Sequence, residues 1–246
     1  MFWKYHKAIL HHHTSLNPTI TLNNRTAKSP KEKAELFNTY FCSVFRPAKT
    51  TMNPDNSTSF LISSSQLSDI TISEEEVAEH LYHLDPSKAT GPDGIPGRIL
   101  KECSAIIAPS LCSLFYHSLR TGSVPSEWKS ANVTPVHKKE KNEPATNYRP
   151  ISLLSIISKV LGRCVCIRFY DHVRVMINDA QHGRNGFLHG RSCITQLLTT
   201  LHRIVQLLYN NIQTDVIFLD FAKAFNSVDH NILLMKLRMY GISGNL

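Results

Sequence analysis

The six cysteines (Cys42, Cys103, Cys112, Cys164, Cys166 and Cys193) form no Cys-x-x-Cys pair and no zinc-type spacing, which excludes the common structural-zinc and redox motifs. Reduced thiols in an intracellular protein are the expected state. Long apolar runs are lacking too. The longest uncharged stretch, residues 103–119, is broken by Pro109 and too mixed to span a bilayer. Residues 1–16 carry Lys4, Lys7 and the run His11-His12-His13, so they lack the apolar centre of a signal peptide. That histidine run has no cysteine or acidic partner beside it and reads as a solvated tail. No internal repeat is visible. Acidic residues are scarce, 19 against 27 Lys and Arg, giving a formal charge of +8 and a pI near 9.2. The expectation is a soluble, intracellular chain with a polyanionic partner.

With 42% hydrophobic residues in 246, there is enough apolar material for one large domain or two small ones. The charge is uneven. Residues 1–50 carry eight Lys and Arg against two acids, residues 51–97 one against eight, and residues 98–246 eighteen against nine. An acidic segment thus separates two basic ones. Residues 1–72 read as an extension or linker with one helix, and residues 73–246 as the main domain. The helix of the extension spans Lys31 to Phe45, announced by Ser29-Pro30, with Ala34, Phe37, Phe41 and Val44 or Phe45 on one face. Residues 50–65, rich in Thr, Ser and Asn, read as a loop.

Ser73-Glu74-Glu75-Glu76 opens a helix: Ser73 caps it, Glu76 completes a capping box, and the acids suit the positive end of the dipole. Val77, Leu81 and Leu84 form its apolar stripe. Lys88 to Pro96 follows as a tight Gly/Pro loop. The spacing then predicts a helix from Ile99 to Gly122, broken near Pro109. Trp128 reads as a core anchor. Ala131–His137 and Tyr148–Leu154 form a hairpin about a charged turn. A helix over Ser158–Val175 carries Leu161, Val165, Phe169 and His172 or Val173 on one side. Its cations, Arg163 and Arg168 among them, lie mostly elsewhere, on a face suited to a nucleic-acid backbone or to solvent. Another helix covers Thr195–Tyr209.

Near the end stands Asp215-Val216-Ile217-Phe218-Leu219-Asp220, followed by Phe221-Ala222-Lys223-Ala224-Phe225-Asn226-Ser227-Val228-Asp229-His230. Val216–Leu219 reads as a buried strand. Asp220 ends it where helix-favouring residues begin. Such strand tips collect ligands and metals, although an aspartate there can equally cap the next helix.

That string resembles the first catalytic motif of the reverse transcriptases of non-LTR (LINE-type) retrotransposons. Lys88-Ala89-Thr90-Gly91-Pro92-Asp93-Gly94-Ile95 resembles the family's entry to the fingers, Val124-Pro125-Ser126-Glu127-Trp128-Lys129 its next segment, and Asn147-Tyr148-Arg149-Pro150-Ile151-Ser152-Leu153-Leu154 its hairpin signature. Gln181-His182-Gly183 and Gly190-Arg191-Ser192-Cys193 resemble a further stretch, with an insertion about Arg184-Asn185-Gly186. The likeness covers roughly residues 73–246, with the motifs in the family's order.

The resemblance implies an RNA-directed DNA polymerase with two divalent metals, Mg²⁺ or Mn²⁺, bound in part by Asp220. It implies Phe225 as a steric gate under the nucleotide sugar, and Arg149 with Lys138 or Lys139 on the triphosphate of a deoxynucleotide. Arg163, Arg168 and Arg191 would face the RNA template and DNA primer. One departure is Asn226, where the family has aspartate. No Tyr-x-Asp-Asp follows Asp220 in these residues. The expectation is therefore α+β: an incomplete right-hand polymerase, helix-rich fingers with the start of a palm, inactive by itself. The other reading is a catalytically dead retrotransposon relic serving as a basic nucleic-acid-binding module.

Overall fold

The computed structural model describes residues 19–44, 65–138, 141–180, 190, 192–220 and 223–244. Among them the chain is helix-rich, with two small antiparallel sheets. The first sheet pairs β1 (Ile20–Leu22) with β2 (Arg25–Ala27). The turn between them is Asn23-Asn24, with φ of 45° and 65°. Two successive left-handed residues give the primed turn that suits strand twist, and asparagine tolerates it best after glycine.

α1 (Pro30–Val44) follows at once. Ser29 Oγ accepts from Glu32 N–H at 3.3 Å, and Glu32 Oε2 accepts from the N–H of Ser29 and of Lys28 at 3.0 Å each. This reciprocal cap, with Pro30 at the first helical position, fixes where the helix starts. Those backbone donors hold the Glu32 carboxyl below its usual range. α1 buries Leu36, Phe37, Tyr40 and Phe41, so its inner face is shifted toward Leu36 and Tyr40 from the expected one.

These residues do not form an isolated extension. Ile20, Ala27 and the α1 face share a core with Ala145, and Tyr148 packs edge-on against Phe37 at 4.8 Å. Thr21 N–H donates to Glu143 O at 2.8 Å. A boundary at residue 72 leaves this core made from both sides.

The larger core is helical. α2 (Glu74–Tyr82) is capped by Ser73, whose Oγ accepts from Glu76 N–H at 3.2 Å. Val77 and Leu81 are fully buried and Leu84 is partly buried, as the stripe predicts. The helical stretch beyond it breaks at Cys103, not at Pro109: α3 is Gly97–Glu102 and α4 is Ser104–Thr121. Pro109 lies inside α4. It is the sixth residue, past the first turn, so it removes the hydrogen bond to Ala105 O that an ordinary residue would make, and the helix nevertheless runs on through it. Gly122, left-handed at φ 61°, closes α4. Phe115 is fully buried against Trp128, edge to face at 5.9 Å, so Trp128 anchors the core as expected.

β3 (Ala131–His137) and β4 (Tyr148–Leu154) pair antiparallel, with Pro135 opposite Pro150 and Val136 opposite Arg149. α5 (Ile156–Ala180) leaves β4 directly and buries Ile156, Val160, Leu161 and Cys164. The Gly91 loop rests on this junction: a Cβ at Gly91 would lie 2.5 Å from Leu154 C and Ser155 N. Only a residue without a side chain fits there.

α6 (Cys193–Tyr209) is capped by Ser192 and Thr195, each side chain bonding the other's N–H. α7 (His230–Met239) is capped by Asp229, which accepts from Asn231 and Ile232 N–H at 2.9 and 3.3 Å. Beyond α7 the chain returns to the start of the helical core. Leu67 N–H donates to Gly241 O, Ser243 N–H to Leu67 O, and His172 Nε2 meets Tyr240 O at 2.8 Å.

The expected strand Val216–Leu219 is absent. The four residues adopt no regular structure and are 47–90% exposed. β-propensity alone does not make a strand; its N–H and C=O groups need a partner, and none pairs with these among the described residues. No described helix is long and apolar enough to cross a membrane.

Candidate nucleotide site

Three parts of the chain meet around one cleft of about 450 Å³. α1 gives Tyr40, Phe41 and Val44, and the outer end of the hairpin gives Lys138, Tyr148, Arg149, Pro150 and Ile151. The last wall is Asp220 with Lys223–Asn226. Lys138 follows β3, and Lys138 N–H closes the hairpin onto Asn147 O at 2.8 Å. Its ammonium donates to Thr146 O at 3.1 Å. Arg149, one residue into β4, is exposed.

The lower wall depends on a turn. Lys223 is left-handed, at φ 54° and ψ 41°, a conformation that costs a non-glycine residue roughly 1–2 kcal/mol. It starts a 3-10 turn over Ala224–Ser227, in which Asn226 and Ser227 N–H both bond Lys223 O. That turn leaves Phe225 78% exposed at the mouth of the cleft. A second, largely apolar cleft of about 720 Å³ shares Phe41, Pro150, Phe225 and Asn226 with the first.

Asp220, Phe225, Arg149 and Lys138 therefore stand around one cavity, and Asp220 comes from an exposed segment instead of a strand tip. The cleft's charged lining residues are Lys138, Arg149 and Lys223 against Asp220. A cavity with three cations and one carboxylate attracts a polyanion. Two further contributors carry little signal in the sequence. Lys223 lies between Asp220 and Phe225 as one more cation of a basic chain, and Tyr40 lies off the apolar face that the spacing predicts for α1.

Arg168 is engaged inside the protein. Its guanidinium forks onto Glu76, Nη1–Oε1 and Nη2–Oε2 both 2.6 Å, and Nη2 also donates to Thr71 O at 3.3 Å. The physical reason is position: α5 crosses α2 where a partly buried carboxylate needs a partner. The same pair explains why Glu76 does not complete the cap of α2. Arg163 is exposed on α5, away from the cleft lining. Lys139, Arg191, the histidine run and the insertion about Arg184–Gly186 lie outside the described residues.

Glu76, His80 and Cys164 also lie close, their potential ligand atoms within 4.8 Å of one another. Both Glu76 oxygens are already engaged by Arg168. Burial first, then the Glu76 charge, pushes the Cys164 thiol up to about 11, so it stays protonated at neutral pH.

Residues 136–245 match the reverse transcriptase (RNA-dependent DNA polymerase) family. Together with the relatives that follow, this places the chain among the reverse transcriptases. It is 28% identical over 242 residues to the probable RNA-directed DNA polymerase from transposon X-element of Drosophila melanogaster, across 96% of this chain and 26% of that protein. To the probable RNA-directed DNA polymerase from transposon BS of the same organism it is 30% identical over 167 residues, 67% of this chain and 18% of that protein. The RNA-directed DNA polymerase from mobile element jockey, also of Drosophila melanogaster, is 29% identical over 177 residues, 70% and 19%. More particularly, then, the chain belongs with the reverse transcriptases of non-LTR retrotransposons. It spans about a quarter or less of the length of these relatives.

Proposed function

We propose that this chain is the nucleotide-gripping part of an RNA-directed DNA polymerase, the fingers and the start of the palm of a right-hand fold. The observation that carries this is the single cleft that Lys138, Arg149, Asp220 and Phe225 line together. A guanidinium takes two phosphate oxygens in one planar fork, so Arg149 holds the triphosphate, with Lys138 as a second point charge. Phe225 presents a rigid ring where a ribose 2′-hydroxyl would stand, selecting deoxynucleotides. RNA template and DNA primer are the polyanions that the basic surface recruits.

Reverse transcriptases generally use divalent metal ions, which stabilise the attacking and leaving oxygens of nucleotidyl transfer. Hard cations need several oxygen ligands, and among the described lining residues Asp220 is the one carboxylate. That donor set suits one corner of such a centre and does not fit a whole one. By themselves these 246 residues bind and orient a nucleotide and do not extend a primer. The lone carboxylate equally favours the second reading, a basic nucleic-acid-binding module without catalysis.

Titration of the chain with dTTP tests the first reading. Binding should weaken about tenfold in Arg149→Met; wild-type binding unaffected by that change refutes the site. Primer extension on an RNA template with Mg²⁺ or Mn²⁺ should give no product, and Asp220-dependent synthesis would overturn the expected inactivity. RNA binding that falls steeply with salt, without dTTP binding, would leave the second reading standing.

A further inference from the structure

Lys223 is used by nothing in the proposed function, yet its placement is unusual in three respects. It holds a left-handed backbone between Asp220 and Phe225, and strained conformations of this kind gather at ligand sites. Its exposed side chain lines the cleft alongside Lys138 and Arg149. Its ammonium sits over the ring of Tyr40, 4.8 Å from the centroid. Tyr40 is itself 9% exposed and fixed in the core shared by α1 and the hairpin. A cation is thus parked on a rigid aromatic face at the edge of a cleft that is already basic.

We propose that Lys223 is a movable third cation of the nucleotide pocket: Tyr40 holds it while the pocket is empty, and the outermost phosphate of a nucleoside triphosphate draws it off. The proposal rests on the nucleotide-site reading above and adds to it how the length of the phosphate chain is sensed. A ring face attracts an ammonium only weakly, whereas a phosphate forms a charge-assisted hydrogen bond with it. The exchange therefore favours the phosphate wherever the ligand is long enough to reach. Arg149 and Lys138 supply attraction common to all phosphates, and Lys223 adds the part that depends on the third. Tyr40 lies outside residues 136–245, where the family model matches, so the N-terminal helix takes part in substrate choice through it.

The test titrates the full chain with dTTP, dTDP and dTMP in the absence of divalent cations. Lys223→Met should cut the preference for dTTP over dTDP about tenfold and weaken dTMP least of the three. Lys223→Arg should keep the preference. Tyr40→Leu frees the ammonium beforehand and should raise the preference about two- to fivefold. An unchanged preference in Lys223→Met, while Arg149→Met still weakens all three nucleotides, overturns the role of Lys223 and spares the site. A lowered preference in Tyr40→Leu overturns the parking of the cation. Failure of the wild-type chain to bind any of the nucleotides removes both.

Discussion

Replacing Arg168 with methionine separates two roles that its sequence context allows, a contact with template backbone and a strut inside the protein. The strut has measurable geometry. Two nitrogen–oxygen contacts of 2.6 Å join Arg168 to Glu76, and their side chains are 32% and 17% exposed. Breaking a fully buried pair costs about 3–5 kcal/mol because it strands a charge. Exposed pairs contribute about 0.2–1 kcal/mol. This one lies between, so Arg168→Met should cost about 2 kcal/mol. For a chain of this size that lowers the melting temperature by roughly 4–8 °C. Glu76→Gln combined with Arg168→Met strands no charge and should recover part of the loss. A thermal melt of the four proteins in the cycle measures it. In the same variants, the slope of log RNA affinity against log salt should not move, since no phosphate contact is removed. A melting temperature unchanged in Arg168→Met, with that slope shallower by about 0.7, would refute the strut and restore the nucleic-acid role.

Cys164 makes stability fall with alkaline pH. Its folded-state pKa is raised to about 11 from 9.0, so between those values the unfolded chain sheds a proton that the folded chain keeps. Stability is therefore full below pH 9 and declines by roughly 2–3 kcal/mol toward pH 11. Denaturant titrations of the chain and of Cys164→Ala across that range check this, and parallel curves would refute it. Gly91→Ala forces a Cβ into the backbone at Leu154 and Ser155. It should cost about 1–3 kcal/mol, read as a lower denaturation midpoint at unchanged slope, and an unshifted midpoint counts against the contact.

What the sequence made legible was local. The hairpin Ala131–Leu154 shows in period-two patterning with a charged turn. Ser29 and Ser73 sit at helix starts where their side chains can take orphan N–H groups. Val77 and Leu81 face inward because their spacing allows nothing else. Arg149, Asp220 and Phe225 were singled out through the family resemblance, and they line one cleft. The rest turned on what lies opposite. Val216–Leu219 has strand composition, but a strand requires a neighbour, and composition does not say whether one is present. The helix breaks at Cys103 and runs on through Pro109, where the burial of Ala108 and Phe115 overrides the local cost of the proline. Arg168 reads as a free cation until α2 brings Glu76 against it, and Tyr40 looks off-face until Lys223 arrives above it.

The seam between α1 and the hairpin has a mechanical consequence. Thr21 is bonded to Glu143, and Tyr148 is wedged against Phe37, so the hairpin tip carries the N-terminal helix as ballast. Any swing of Arg149 over a bound nucleotide must then drag Tyr40 with it. At the other end of the hairpin, Gly91 presses on the backbone of Leu154 and Ser155, so the arm is held at its base as well as at its tip.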